Sequence, residues 1–197
     1  MSKERILDAA DKLFVEKGYD ATSVRELAQE ADVNIAMISY YFGSKENLLE
    51  EMILRRTQHT RAKIEEFKQL DLHPMEILDQ MIDLYTEKIL YNKKFHLMLH
   101  RELSLSQREE LHERIIGILE GNWQHMKSII QNGQNEGIFR EDVDVEMVVL
   151  TLFGLINQCT QGKITRRMIL KGPSENEVHD RLKSHLKNIL RNHLLVK

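Results

Sequence analysis

Apolar side chains recur at three- and four-residue intervals along most of the chain, the repeat that lays one stripe on a helix. Strict alternation of apolar and polar residues, the mark of a half-buried strand, is scarce. The first stripe covers residues 3–17 through Ile6, Leu7, Ala10, Leu13 and Phe14, and Gly18 stands where a left-handed residue would end the helix. Ser23 with Glu26 reads as a capping box opening a short helix whose inner face is Val24, Leu27, Ala28 and Ala31. Asn34 can cap a second short helix running to about Phe42. Gly43-Ser44 then breaks the chain, and Ser44 can cap a long helix from Lys45 to about Leu70. Pro74 suits the first turn of a helix over 74–90, marked by Ile77, Leu78, Met81, Ile82 and Tyr85. A helix over about 92–103 follows, and Ser106-Gln107-Arg108-Glu109 forms a capping box for another that Gly137 ends. Asp144 begins the next. Its apolar stretch Met147–Ile156 continues to Leu170 without turn residues, which favours a buried helix over a strand. Ser174-Glu175-Asn176-Glu177 caps the last, about 175–195. The pattern predicts an all-α protein of about nine helices.

Composition agrees with that class. Two prolines and nine glycines punctuate 197 residues, and 42% apolar side chains suffice for a core. At roughly 100–200 residues per domain the chain holds one large or two small domains. No apolar run reaches the ~18–20 residues of a membrane span, and the start Met-Ser-Lys-Glu lacks a signal-peptide core. The single Cys159 fits a reducing compartment, so the expected location is the cytoplasm.

Residues 22–42 hold two short helices joined by Glu30-Ala31-Asp32-Val33. Helices this short are marginal alone and must be packed by neighbours. In a helix-turn-helix the first lies across the second, whose outer face enters the major groove of DNA. Ala28, Val33 and Ile38 can form the inner contact, leaving Asn34, Ile35, Ala36, Met37, Ser39 and Tyr40 to the groove. Spacing alone equally admits a plain helical hairpin. Charge argues against DNA: residues 1–57 carry eight Lys/Arg against eleven Asp/Glu, a net of −3, where nucleic-acid binding usually leaves a basic footprint. Residues 58–162 carry eleven against seventeen, a net of −6, and residues 163–197 nine against three, a net of +6.

The ordered run Thr22-Ser23-Val24-Arg25-Glu26-Leu27-Ala28, then Ala31-Asp32-Val33-Asn34, then Tyr40-Tyr41-Phe42-Gly43-Ser44-Lys45-Glu46-Asn47-Leu48 resembles the amino-terminal domain of the tetracycline-repressor (TetR) family. Ala9-Ala10, Leu13-Phe14 and Gly18-Tyr19-Asp20-Ala21 are similar to that family's first helix and turn, so the resemblance covers about residues 3–55. Downstream, Gly137-Ile138-Phe139-Arg140 with Asp142 and Asp144 is similar to the lead-in to the family's eighth helix. The resemblance implies a helix-turn-helix DNA-binding domain over 1–57 and an effector-binding and dimerisation domain over 58–197. It implies a transcription regulator, mostly a repressor in that family, binding a double-stranded DNA operator as a homodimer and released by a small-molecule effector. No cofactor and no metal are expected. By position it implies that Thr22 and Ser23 hold a phosphate, that Arg25 reaches backbone or a base edge, that the Tyr41 hydroxyl meets phosphate, and that Lys45 adds charge at a helix start. Helix N-termini suit phosphates through free N–H groups and the dipole, so such local placement can offset an acidic total.

Two positions depart from the family. Ile35 stands where many members have lysine or arginine, and Ser39 where tyrosine is frequent. With no Arg or Lys between Asn34 and Phe42, the commonest bidentate guanine contact is missing from this helix. Ile35, Ala36 and Met37 offer methyl contacts to thymine, while Asn34, Ser39 and Tyr40 offer hydrogen bonds. The expected site leans on A·T pairs, backbone grip and DNA shape.

The resemblance further implies a dimer built from the last two long helices, along Leu150, Phe153, Gly154, Asn157 and Gln158, and along Leu182, Leu186, Ile189, Leu190 and His193. Apolar periodicity by itself marks only burial. Met81, Tyr85, Phe95, Met98, Leu99, Trp123, Met126, Phe153 and Cys159 can line the effector pocket, or be ordinary core. Arg166, Arg167, Lys183 and Lys187 in the basic tail read as a solvated rim or partners for acidic neighbours rather than a second nucleic-acid surface.

Enzyme readings find little support. His96 and His100 stand four residues apart on one helix face without a His-Glu-x-x-His pattern, Cys159 has no evident base partner, and no glycine loop could cradle a phosphate. An architectural or division-control DNA-binding protein on the same fold stays open as an alternative to a promoter-specific regulator.

Overall fold

The computed structural model describes residues 2–70, 72–105, 108–161, 168, 170 and 174–196. Among these, nine α-helices are defined: α1 Ser2–Lys17, α2 Val24–Glu30, α3 Ile35–Phe42, α4 Lys45–Gln69, α5 Pro74–Tyr91, α6 Lys93–Leu103, α7 Glu109–Asn135, α8 Val145–Gln161 and α9 Glu175–Leu194. The only extended pairing among the described residues is an isolated bridge between Phe139 and Leu195. The capping residue Ser106, the tail arginines Arg166 and Arg167, and any extension of α8 over 162–167 lie outside the described residues.

Local chemistry sets the helix ends. The Ser23 hydroxyl accepts from the Glu26 amide and the Glu26 carboxylate accepts from the Ser23 amide, and Ser174 and Glu177 repeat this reciprocal cap at α9. At α5 the cap is His73, whose Nδ1 accepts from the Met75 amide while Glu76 reaches back to the His73 amide. Sequence reading had only Pro74 for that start, because histidine is rarely a helix cap. Gly43, at φ 77°, turns the chain sharply from α3 into α4.

The chain forms two compact units, Met1–His59 with Lys94–Glu120 and Thr60–Lys93 with Gly121–Lys197. The first crossing falls after His59, and α6 and the first half of α7 return to the first unit rather than staying with the rest of residues 58–197. Their role there is burial. Phe95, Met98 and Leu99 of α6, with Leu111 and Ile115 of α7, share a core with Leu13, Phe14, Leu27, Ile38, Leu48 and Met52. A unit of fewer than ~60 residues is marginal in the apolar surface it can bury, and these side chains add to it. The second unit has its own core, centred on Leu78, Met81, Ile130, Phe139, Leu152 and Leu186. Along one edge of that unit, α9 and α5 are laced antiparallel by three ion pairs: Lys183 with Glu87, Lys187 with Asp83 and Arg191 with Asp79. The basic tail thus meets acidic neighbours, with both partners repeating at intervals of four.

Candidate nucleic-acid interface

The turn from α1 to α2 is built on Thr22. Its hydroxyl donates to the Gly18 carbonyl at 2.8 Å, and the residue is 1% exposed. Thr22 therefore closes the turn and cannot reach a phosphate, contrary to the expectation from sequence. Ser23 is exposed, yet its hydroxyl is spent on Glu26. The Glu26 carboxyl is held down at about 2 by the hydrogen bond from Lys17 first and by those from Ser23 next.

The turn between α2 and α3 rests on Asp32, whose φ of 49° is the only positive value among the described non-glycine residues. The Arg5 guanidinium grips both its carbonyl and its carboxylate, while the Val33 amide donates to the Ala28 carbonyl at 3.0 Å. With Leu27, Ala28 and Ala31 buried on one side and Ile38 and Phe42 on the other, α2 crosses α3 and fixes its orientation.

The outer face of α3 is open. Ile35 is 48% and Tyr40 79% exposed, and Ala36 and Ser39 are exposed beside them. Asn34 caps the helix through Oδ1, which accepts from the Ala36 amide at 2.9 Å, so only its Nδ2 is left to donate outward. Met37 is half-buried, packed against the core at the edge of this face. Tyr41 is half-buried with its ring edge-on to Tyr40, centroids 5.1 Å apart, and its hydroxyl has no hydrogen bond among the described residues. Lys45, at the first position of α4, is half-buried. Its ammonium lies over the Tyr19 ring, 4.1 Å from the centroid, where burial above all, and Arg108 after it, lowers its pKa against the pull of Asp20.

Ion pairing occupies most of the cations of this acidic segment. Residues 2–57 contain eight cations, and six of them, Lys3, Arg5, Lys12, Lys17, Arg55 and Arg56, sit on carboxylates. The two without a salt bridge among the described residues are Arg25, exposed on the first turn of α2, and Lys45, on the first turn of α4. Tyr19 and Arg108, which sequence reading did not single out, complete the surroundings of Lys45. They stand 89 positions apart, which leaves no local signal.

The residues expected in an effector pocket divide. Met81, Tyr85, Met126 and Phe153 share the core of the second unit, with Cys159 half-buried at its border. Phe153 stacks on Trp123 at 4.9 Å and meets Tyr85 edge-on at 5.0 Å. Burial raises both the Tyr85 phenol and the Cys159 thiol. Phe95, Met98 and Leu99 lie in the core of the first unit, so the nine do not form one lining. The expected dimer residues divide as well. Leu150 and Gly154 of α8 and His193 of α9 are exposed, and Ile189 and Asn157 are half-buried. Phe153, Leu182, Leu186 and Leu190 instead face inward to their own core, as their regular spacing equally allows.

Known proteins match this arrangement. Residues 6–52 fit the profile described as bacterial regulatory proteins, tetR family, and residues 71–161 that of a tetracyclin repressor-like C-terminal domain. The probable HTH-type transcriptional regulator YttP of Bacillus subtilis is 50% identical over 52 residues, 26% of this chain and only 25% of its own length. The transcriptional repressor NicS of Pseudomonas putida is 30% identical over 167 residues, covering 78% of this chain and 73% of the repressor. Among solved structures, the transcriptional regulator FadR of Bacillus subtilis in complex with stearoyl-CoA superposes with a TM-score of 0.76 at 24% identity, over 93% of this chain and 96% of that one. Two profiles in the family's order and a repressor similar over most of its length make this chain a member of the TetR family of transcriptional regulators.

Proposed function

We propose that the chain is a repressor that grips its operator as a homodimer through the outer face of α3 and lets go when a small molecule enters the second unit. The observation that carries this reading is the pairing pattern of the first unit, which neutralises every cation among residues 2–57 except Arg25 and Lys45. Arg25 is exposed on the first turn of α2 and Lys45 opens α4, the two helices that flank α3, where a cation can meet the DNA backbone. Ile35, Ala36, Ser39 and Tyr40 then meet base edges without an arginine or lysine among them, so the preferred core is rich in A·T. Selection of duplexes from a random pool tests this directly, and guanine-rich cores under α3 would refute it. On the selected duplex, Arg25→Ala is expected to weaken binding alike for all sequences, with the log–log salt slope shallower by about one per head. Ile35 or Ser39 substitutions should change which sequence is preferred.

For the effector, the aromatic group of Tyr85, Trp123 and Phe153 with Met81 and Met126 is the proposed lining. A long apolar ligand suits such a wall, and the FadR relative holds stearoyl-CoA. Trp123 is the sole tryptophan, so its emission reports on this site without a label. Titration with stearoyl-CoA should shift that emission and release DNA together. Release of DNA with the emission unmoved would place the effector elsewhere. The ligand acts only if it favours the form that fits DNA poorly.

A further inference from the structure

We propose that Arg108, just before α7, is a positioning residue for DNA binding: by occupying the Asp20 carboxylate it leaves Lys45 available to a phosphate. The inference rests on the reading of Lys45 as a backbone anchor.

Arg108 forks between two carboxylates, Asp20 in the turn that leads to α2 and Glu102 near the end of α6. Glu102 is 4% exposed, and the His112 Nε2 stands 3.6 Å from the same oxygen that Arg108 holds. The guanidinium also lies over the Tyr19 ring, 4.8 Å from its centroid, so Arg108 and Lys45 share one aromatic face-partner. Tyr19 is 4% exposed, with Glu46 close to its hydroxyl. The acids around Lys45 are thus Asp20, Glu46 and Glu102, and the neighbouring cation is Arg108.

These groups compete for partners. Glu102 is buried and already engaged, and Glu46 is stabilised as a carboxylate chiefly by its own backbone amide and by Ser44. Asp20 is different. Its side chain is 61% exposed, it already attracts the Lys45 ammonium, and its one salt-bridge partner among the described residues is Arg108. Without the guanidinium, Asp20 is the free carboxylate nearest at hand for Lys45. An ammonium committed to a carboxylate must break that pair before it can neutralise a phosphate, and the gain from counterion release is then lost. Arg108 also repels Lys45, which acts in the same direction. Because the second anchor of Arg108 is on α6, a shift of the end of α6 would reach Lys45 by this route.

The test uses the full chain and a duplex selected by the wild type, with affinity measured as a function of salt. Lys45→Met is expected to cost about tenfold at ~0.1 M salt and to reduce the slope by about one per head. Arg108→Met should do the same, and the double variant should be no weaker than either single one. Arg108→Lys keeps a cation on Glu102 but cannot fork to both acids, so it should fold normally and still lose affinity. Asp20→Asn alone should bind no more weakly than wild type, and in the Arg108→Lys background it should restore both affinity and slope. If Asp20→Asn alone weakens binding as much as Arg108→Lys does, the ion pair is only scaffold and the proposal is overturned. A loss in Arg108→Lys with an unchanged salt slope overturns it too. An unchanged Lys45→Met would instead remove the anchor reading on which the proposal stands.

Discussion

Gly133→Ala is expected to destabilise the protein by about 3 kcal/mol, although alanine is the better helix former. Gly133 lies within α7, where alanine should be favoured over glycine by roughly 1 kcal/mol. Packing decides otherwise. A Cβ at this position would stand 2.2 Å from Cδ2 and 2.5 Å from Cε2 of Phe139, well inside contact distance. The ring cannot withdraw. Phe139 is 1% exposed, its amide and that of Ile138 both donate to the Gly133 carbonyl at 2.9 Å, and the next amide, Arg140, donates to the Leu194 carbonyl at 2.8 Å. The Gln134 side chain fastens the same segment through the Arg140 and Val143 carbonyls. Relief therefore requires moving the whole connection between α7 and α8 together with the end of α9. Gly117, on the same helix with nothing within 4 Å of its Cβ position, is the control. Gly117→Ala should leave stability unchanged or raise it by up to ~1 kcal/mol. Urea denaturation of both variants settles the matter, and a Gly133→Ala midpoint at or above that of wild type would show that the segment yields.

Phe139 also marks how far the sequence could be read. Gly137-Ile138-Phe139-Arg140 stood out as a motif, but nothing in it pointed to Gly133, because the contact depends on how the chain doubles back after α7. Helix starts were legible because their chemistry is local: Ser23 with Glu26, Asn34, and Ser174 with Glu177 each cap within three residues. The exposed positions of α3 were legible for a similar reason, since Ile38 and Phe42 must face inward and leave Ile35, Ala36, Ser39 and Tyr40 outside. Thr22 was misread because a hydroxyl near a helix start serves equally well to close a turn, and only burial separates the two roles. The return of α6 to the first unit was not legible. The apolar stripe of Phe95, Met98 and Leu99 states that a face is buried but not against what, and so the expected pocket drew residues from both cores. Likewise, the ion pairs that occupy six of the eight cations of an acidic domain cannot be seen in a net charge.

The proposed dimer carries the other large effect: Leu150→Glu is expected to yield a monomer and to reduce operator affinity by at least two orders of magnitude, since each head alone covers one half-site. Leu150 is 52% and Met147 55% exposed on α8, an apolar strip with no cover in its own protomer. Beside it α8 and α9 border a groove of about 510 Å³, lined by Met147 and Thr151 on one wall and His185, Asn188, Ile189 and Asn192 on the other. The polar wall explains why regular apolar spacing pointed to Leu182, Leu186 and Leu190, which fill the protomer's own core instead. Across a twofold axis the same patch meets itself, so one substitution places two uncompensated carboxylates in one apolar contact, at a cost of several kcal/mol. Gly154 supplies an independent check. A Cβ there meets nothing within 4 Å in the protomer and the position is exposed, so a larger side chain has open space beside it. Gly154→Leu should therefore leave the unfolding of the isolated protomer intact yet weaken self-association, if a partner helix lies against it. Sedimentation velocity on both variants, with DNA affinity measured alongside, reads the two effects separately. A Leu150→Glu protein that remained dimeric would show that the two copies meet through another surface.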